Sequence, residues 1–209
     1  GNAKDRELKS ILRYIKIAPR MWRSVVNNAV VDLIDPRPGE TVIDIGAGMG
    51  PGVMRSARSG AEVVAVDPTP FMRSVMGARR LTSKKRKSIK VVDGAVEALP
   101  ATDGAIDALW SVNTMHHWSS VPGGVVEIAR VLAPGGRVVL VDENFADPRH
   151  PYSEQWHKRH GDSDHHGFSM VDATEIGDLM SQAGLSDVVA ENRDMAGRPV
   201  IAVTARKPR

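Results

Sequence analysis

Short apolar segments alternate with segments of helical periodicity along most of the chain, and this alternation restricts the possible folds more than any other feature. Strands that are apolar on both faces are typical of parallel sheets covered by helices on both sides. The pattern therefore predicts an α/β fold with a doubly wound, mostly parallel sheet. Five predicted strands, each containing Val or Ile, are 41–45, 62–66, 89–92, 106–110 and 137–141.

Helices and two further strands are predicted around this set. Segments 70–80 and 122–132 have helical spacing, and Asp172 with Glu175 forms a capping-box-like start to a last helix. Segments 187–190 and 199–204 are predicted as a closing hairpin, which adds two antiparallel strands to the sheet. The predicted sheet then has seven strands. The buried face predicted for a helix before the first strand consists of Trp22, Val25, Val26, Ala29, Val30, Leu33 and Ile34.

The composition excludes several classes of protein. The chain of 209 residues has no cysteine, which excludes disulfide scaffolds, thiolate metal sites and cysteine nucleophiles. With 42% hydrophobic and 25% charged residues and no apolar run of about 20 residues, we expect a cytoplasmic protein without a membrane span. The net charge is only +3, and the one basic run is Lys84 to Lys87, so a nucleic-acid partner is not expected.

We predict a single domain, 1–209, in four parts. Residues 1–37 form a helical cap, 38–142 the ligand-binding core, 143–168 a lid or substrate insertion, and 169–209 the closing helix and strands. The insertion is polar, lacks a clear period and is rich in histidine, which is typical of a substrate lid. Its candidate residues are His150, Trp156, His157, His160, Asp162, Asp164, His165, His166 and Phe168.

A divalent metal is the alternative interpretation of this insertion. Metals accept the ligand types of the five histidines and two aspartates in this insertion. A second candidate set is the hard oxygen ligands after the fifth strand, on Asp142, Glu143 and Asn144. There is no H-E-x-x-H pattern, so a polar lid is preferred, no residue is assigned as a metal ligand, and Mg²⁺ stays an alternative.

The most informative segment is a buried strand that runs into a glycine-rich turn, residues 42–50, with the sequence VIDIGAGMG. Glycine allows positive φ and a close approach of the backbone to a ligand. Asp44 lies in this strand, Asp67 follows the second strand and Asp93 follows the third. An acid about 20 residues after such a loop can accept hydrogen bonds from ribose hydroxyls. The segment therefore predicts a nucleotide pocket at the carboxyl ends of the strands.

A nicotinamide dinucleotide fold would place a third glycine of its G-x-G-x-x-G loop at position 51. That position is Pro51, and the third glycine is Gly50 instead. An oxidoreductase is therefore the less favoured alternative.

The acid-x-G-x-G-x-G segment Asp44 to Gly50, with Asp67, Asp93-Gly94 and the sequence LAPGG at 132–136, resembles the class I S-adenosylmethionine-dependent methyltransferases of the type 11 kind. The resemblance covers residues 38–141 and implies a Rossmann-like fold with S-adenosylmethionine as cofactor. It implies that Asp44 lies near the methionyl amine, Asp67 at the ribose and Asp93 at the adenine. The further cofactor-binding residues that it implies are Gly46, Ala47, Gly48, Gly50, Pro68, Gly94, Ala95 and Ser111.

The residues after the fourth strand, SVNTMHHW at 111–118, place two histidines where this family's acceptor lies. A hydroxyl acceptor must lose a proton, and histidine is a suitable base near neutral pH. We assign His116 as the preferred base and His117 as the second candidate. The tetrad of amino-group methylating enzymes is absent from 113–116, which favours a hydroxyl or carbon acceptor on a small molecule. O-methylation of a sugar or secondary metabolite is the preferred reaction. An RNA methyltransferase, a metal-assisted O-methyltransferase and a catalytically silent cofactor-binding module stay open as alternatives.

Overall fold

The computed structural model describes residues 24–150, 153–154 and 171–209. They form one seven-stranded sheet of order β3-β2-β1-β4-β5-β7-β6, in which β1 to β5 run parallel and β7 runs antiparallel to both β5 and β6. The predicted fold class, with its antiparallel closing hairpin, is confirmed. The strands are β1 Thr41–Ile45, β2 Glu62–Val66, β3 Ile89–Val92, β4 Ile106–Val112, β5 Leu132–Glu143, β6 Ser186–Met195 and β7 Arg198–Arg206.

Five α-helices cover the two faces of the sheet within the described residues: α1 Val25–Ile34, α2 Pro51–Ser56, α3 Pro70–Arg80, α4 Val121–Val131 and α5 Ala173–Gln182. Apolar side chains of α1, α2 and α3 form one core with the sheet, and those of α4 and α5 form a second core on its opposite face. This arrangement explains why the central strands are apolar on both sides.

The buried face of α1 differs from the predicted one. Val26, Val30 and Ile34 are buried as expected, but Val25 and Leu33 are 52% and 45% exposed. The helix is apolar over more of its circumference than one sheet face can cover, so the periodicity alone does not select the stripe that packs. Trp22 and the rest of the predicted cap before Ser24 lie outside the described residues.

Arg137 of β5 fixes the end of α1 to the start of β1. Its guanidinium forms a two-point ion pair with Glu40 at 2.8 Å and donates to the carbonyl of Ile34 at 2.6 Å. Because a helix leaves its last carbonyls unsatisfied, this contact caps α1 from a strand that is distant in sequence.

The sheet determines where a ligand can bind. The strand order reverses between β1 and β4, and in such sheets the crevice lies beyond the carboxyl ends of the strands at this point. The glycine loop follows β1 and the histidine pair follows β4, so the fold brings both predicted motifs to this crevice. No helix in the described part of the chain is long and apolar enough to cross a membrane.

Candidate cofactor and acceptor site

The glycine loop is held by main-chain and side-chain contacts along its whole length. The amides of Gly46 and Ala47 both donate to the carbonyl of Val66, at 2.8 and 3.0 Å, and the amide of Gly48 donates to Asp67 Oδ2 at 2.8 Å. Arg79 of α3 donates to the carbonyl of Met49 at 2.8 Å. The loop is therefore fixed before any ligand binds, which lowers the entropic cost of binding.

All three glycines of the loop have positive φ: 67° for Gly46, 52° for Gly48 and 76° for Gly50. A Cβ at Gly46 would overlap the side chain of Thr114, and a Cβ at Gly50 would lie 3.1 Å from the side chain of Met76. Gly46 thus has a role that the sequence did not indicate, since it lets the loop after β1 pack directly against the segment after β4.

Asp67 lies at the end of β2 and is almost completely buried. Its carboxylate accepts from the amide of Gly48 through Oδ2 and from the amide of Thr69 through Oδ1, each at 2.8 Å. Each carboxylate oxygen can accept a second hydrogen bond, so Asp67 is anchored by the backbone and keeps acceptor capacity for a pair of hydroxyls.

The predicted adenine side of the site is more open. Pro68, Asp93 and Ala95 are exposed beside the ends of β2 and β3, and Asp93 accepts from Arg73 at 2.8 Å. A Cβ at Gly94 would lie only 3.1 Å from the Cγ1 atom of Val66, so a larger residue would crowd the side chain of Val66. An exposed carboxylate between two apolar residues is suited to the edge and faces of a purine ring.

The carboxyl group of Asp44 is buried, and its Oδ2 atom has no hydrogen-bond partner among the described residues. Burial raises the pKa of Asp44 to about 8, and the charge of Asp67 adds to this, while the indole of Trp110 and the amide of Val53 oppose it. A Cβ at Gly52 would lie 2.7 Å from Asp44 Oδ2. A buried acceptor with a raised pKa favours a cationic ligand, because a nearby positive charge would stabilise the ionised carboxylate.

His116 lies in a short 3-10 turn after β4 and forms two contacts with Asp142 of β5. Its Nδ1 atom lies 2.7 Å from Asp142 Oδ1, and its main-chain amide donates to Oδ2 at 3.0 Å. Asp142 is completely buried and also accepts from the amide of Glu143. Burial lowers the pKa of His116, but the hydrogen bond and charge of Asp142 and the charge of Glu143 outweigh it, so the pKa is raised.

A second histidine–carboxylate pair lies beside the first. His150 Nε2 is 2.9 Å from Glu143 Oε2, and the Phe145 ring stands edge-on to both histidine rings, 5.5 Å from His116 and 4.6 Å from His150. His117 is exposed, with its ring 4.1 Å from the His116 ring. The start of the predicted insertion thus packs against the predicted base.

The segment between Ser111 and His116 contains two residues that the sequence analysis did not assign. Thr114 forms a hydrogen bond with Ser111, accepts from the indole of Trp118 at 3.1 Å and packs on Gly46. Asn113 has a φ of 55°, and its buried Oδ1 atom has no hydrogen-bond partner among the described residues. Positive φ outside glycine is uncommon and often marks functional segments, but the sequence carries no signal for it.

Among the described residues, no group of three or more His, Cys, Asp or Glu side chains is arranged to hold a metal ion. The carboxylate oxygens of Asp142 are instead used by His116 and the main chain. The other lid candidates, namely Trp156, His157, His160, Asp162, Asp164, His165, His166 and Phe168, lie outside the described residues.

Comparison with known proteins identifies relatives of the core. The sequence profile of a methyltransferase domain matches residues 43–140. An uncharacterized methyltransferase of Mycobacterium tuberculosis is 36% identical over 111 residues, which cover 53% of this chain and 43% of the relative. A demethylmenaquinone methyltransferase of Beutenbergia cavernae is 34% identical over 129 residues, covering 62% of this chain and 49% of the relative. The chain thus spans somewhat less than half the length of these curated relatives.

Solved structures show the same fold. Phosphoethanolamine N-methyltransferase 2 of Haemonchus contortus in complex with S-adenosyl-L-methionine aligns with a TM-score of 0.72 at 16% identity, over 88% of this chain and 52% of that chain. The residues around the crevice fit this cofactor, since Asp67 keeps acceptor capacity for hydroxyls and the buried Asp44 favours a cation. The matched profile spans the strands that carry these residues, so residues 43–140 are similar to the methyltransferase domain, and the chain shares its fold with S-adenosylmethionine-dependent methyltransferases.

Proposed function

We propose that this protein methylates a hydroxyl group of a small molecule, with His116 as the general base. The observation that carries the proposal is the buried pair of His116 and Asp142 at the carboxyl end of β4, beside the cofactor loop. When bound, S-adenosylmethionine supplies an electrophilic methyl group. The protein must then align the acceptor, exclude water and remove the hydroxyl proton.

Asp142 fixes the orientation and the tautomer of His116. Because the carboxylate accepts the proton on Nδ1, the neutral ring carries its lone pair on Nε2. Nε2 would accept the hydroxyl proton, and the cofactor, held by the glycine loop and the strand-end acids, would supply the methyl group to the acceptor oxygen. The buried charge of Asp142 stabilises the imidazolium that results, which favours proton removal from a hydroxyl.

On the cofactor side, we propose that Asp67 accepts from the ribose hydroxyls and Asp93 from the adenine amine, with Pro68, Gly94 and Ala95 around the ring. Asp44 would stabilise the positively charged methionyl part. The remaining members of this proposed contact set are Gly46, Ala47, Gly48, Gly50 and Ser111, which lie in the loop and at the end of β4.

A hydroxyl acceptor is favoured over an amine because of the base. A neutral amine attacks without first losing a proton, whereas a hydroxyl has a pKa far above 7 and benefits from a base of raised pKa. The raised pKa of His116 supports this chemistry. The relatives include enzymes named for phosphoethanolamine and demethylmenaquinone, so the assay must also contain amine and quinol-type acceptors.

An RNA acceptor is disfavoured by the position of the basic run. Lys84 to Lys87 are exposed and precede β3, which places them at the amino ends of the parallel strands. The His116 segment and the glycine loop follow β4 and β1, so they lie at the opposite edge of the sheet. A bound RNA would have to extend across the sheet to use both regions.

The test is a methyl-transfer assay with labelled S-adenosylmethionine across a panel of sugars, phenols, quinols, amines and a short RNA. We expect turnover of hydroxylated small molecules and no change in rate when EDTA replaces Mg²⁺. Preferential methylation of an amine or of RNA would contradict the proposed acceptor class. Loss of activity in EDTA would support a metal-assisted reaction instead, and binding of cofactor without turnover of any acceptor would indicate a silent module.

A further inference from the structure

Arg73 connects the two acids that end neighbouring strands on the cofactor side. It lies in the second turn of α3, and its side chain is 21% exposed. Its Nη1 atom donates to the main-chain carbonyl of Asp67 and to Asp93 Oδ1, both at 2.8 Å. A guanidinium nitrogen carries two hydrogens, so one NH₂ group can make both contacts at once.

The two acids differ in how much they depend on this contact. Asp67 is buried and its carboxylate is held by two main-chain amides, so its position does not require Arg73. The Asp93 side chain is 72% exposed, and among the described residues only Arg73 donates a hydrogen bond to its carboxylate. An exposed carboxylate without such a contact would sample several rotamers.

We propose that Arg73 is a positioning residue for the cofactor, which holds the Asp93 carboxylate at a fixed place relative to Asp67 and thereby makes the site selective for adenine. The inference rests on the proposed roles of Asp67 at the ribose and Asp93 at the base. A 6-amino purine donates to a carboxylate at this place, whereas a 6-oxo purine presents a carbonyl oxygen to it. Selectivity of this kind arises from repulsion and unpaired polar groups, and it requires the carboxylate to stay in place.

A merely structural ion pair would behave differently. Pairs between exposed or half-exposed charges contribute little to stability, so loss of such a pair would change the melting temperature slightly and would not change the choice of ligand. The ratio of two ligand affinities therefore separates the two roles.

The experiment measures, by calorimetry on the full chain, the dissociation constants of S-adenosylhomocysteine and of S-inosylhomocysteine, in which a 6-oxo group replaces the 6-amino group. The wild type is expected to prefer the adenine compound by roughly 10²-fold. In Arg73→Met we expect this preference to fall to less than about fivefold while Asp93 is still present. Arg73→Lys, which keeps the charge but not the planar two-contact geometry, is expected to lie between the two.

Two controls assign the effect. Arg58→Met removes the same charge from an exposed position in the 3-10 turn after α2 and should keep the wild-type preference. Asp93→Asn can donate to a 6-oxo group through its amide and should abolish the preference. The double variant Arg73→Met with Asp93→Asn should match Asp93→Asn alone, because Arg73 acts through Asp93. The melting temperatures confirm that each variant is folded.

The outcomes separate this inference from the proposed function. If the wild type binds S-adenosylhomocysteine and Arg73→Met keeps the full preference, or if the double variant differs from Asp93→Asn, the positioning role is wrong while the proposed function stands. If the wild type binds neither compound, the proposed cofactor contacts fail, and the inference fails with them.

Discussion

The proposed cofactor half and the proposed acceptor half of this site are built from different kinds of contact. On the cofactor half, main-chain amides of the glycine loop contact Val66 and Asp67, so the geometry depends largely on backbone atoms and positive φ angles. On the acceptor half, His116 and Asp142 meet as side chains that lie 26 residues apart in the sequence. Backbone geometry tolerates few substitutions, whereas a side-chain pair can be altered without changing the fold.

This difference predicts that variants of the two halves change different quantities. Changes at the acceptor half should lower turnover and leave cofactor affinity nearly constant. Changes at the cofactor half should weaken cofactor binding, and some of them should also alter stability.

The largest effect is expected at the base. His116→Ala should lower kcat for the hydroxylated acceptor by about 10²- to 10⁴-fold, because proton removal then falls to water. The dissociation constant of S-adenosylhomocysteine should stay within about twofold of the wild type, measured by calorimetry. The matched variant is His117→Ala, which removes the exposed neighbour and should have a much smaller effect. Equal losses in both variants, or none in His116→Ala, would contradict the assignment.

The second effect concerns the glycine loop. Gly46→Ala should weaken S-adenosylhomocysteine binding by about 10- to 100-fold, because φ is 67° and the new Cβ overlaps Thr114. Gly39→Ala is the matched control, since Gly39 has a φ of 83° with nothing within 4 Å of its Cβ position. Adding Thr114→Ser to Gly46→Ala removes the methyl group that the Cβ meets and should restore part of the affinity. Equal affinity losses in Gly39→Ala and Gly46→Ala would show that backbone strain alone is responsible.

The third effect is a change in the pH dependence of kcat when Asp142 is replaced. The base must be neutral to act, so wild-type kcat should rise with pH through the raised pKa of His116. Asp142→Asn removes the hydrogen bond and charge that raise this pKa and leaves the burial that lowers it. We expect kcat to fall about 10- to 100-fold and the acidic limb of its pH profile to move to lower pH. An acidic limb that stays in place would separate Asp142 from the titration of the base.

Among the changes on the proposed cofactor half, the smaller loss of cofactor affinity is expected at Asp44, where stability also changes. The pKa of Asp44 is raised from 3.8 to about 8, so the native state holds this proton more tightly than the unfolded state. Wild-type stability should therefore decrease as the pH rises from about 4 to 8 through this group. Asp44→Asn removes that decrease and should be more stable than the wild type by about 2 kcal/mol or more at pH 8, with no difference below pH 4.

The same variant should bind S-adenosylhomocysteine about tenfold more weakly at pH 8, since a negative charge near the methionyl amine is lost. Denaturant unfolding at several pH values and calorimetry measure the two quantities. If the variant is less stable than the wild type at pH 8, the carboxyl group of Asp44 stabilises the native state through a structural contact. Its buried charge would then not lower the stability of the wild type.

The sequence predicted the sheet and the position of the glycine loop at its carboxyl edge closely, because their signals are local. The first three strands match their predicted bounds, the glycine loop directly follows β1, and Asp67 and Asp93 directly follow β2 and β3. The prediction of α1 was less accurate, since Val25 and Leu33 are exposed on a helix that is apolar over much of its surface. The pairing of His116 with Asp142 depends on the neighbouring strands β4 and β5, which no local pattern specifies.

Other features depend on three-dimensional contacts in the same way. The pairing of Arg73 with Asp93 joins a helix to a strand end 20 residues further on, and the unpartnered oxygen of Asn113 follows from a backbone turn. Side-chain geometry of this kind is selected by packing, and the residue types alone are compatible with several arrangements.

The most direct test of the whole account is calorimetric titration of the full chain with S-adenosylhomocysteine, with NAD⁺ as the comparison ligand. We expect one-to-one binding of S-adenosylhomocysteine that saturates well below about 1 mM, and no measurable binding of NAD⁺ at the same concentration. Absence of heat with S-adenosylhomocysteine at millimolar concentration, or tighter binding of NAD⁺, would contradict the assignment of the glycine loop and its acids to the methyl donor.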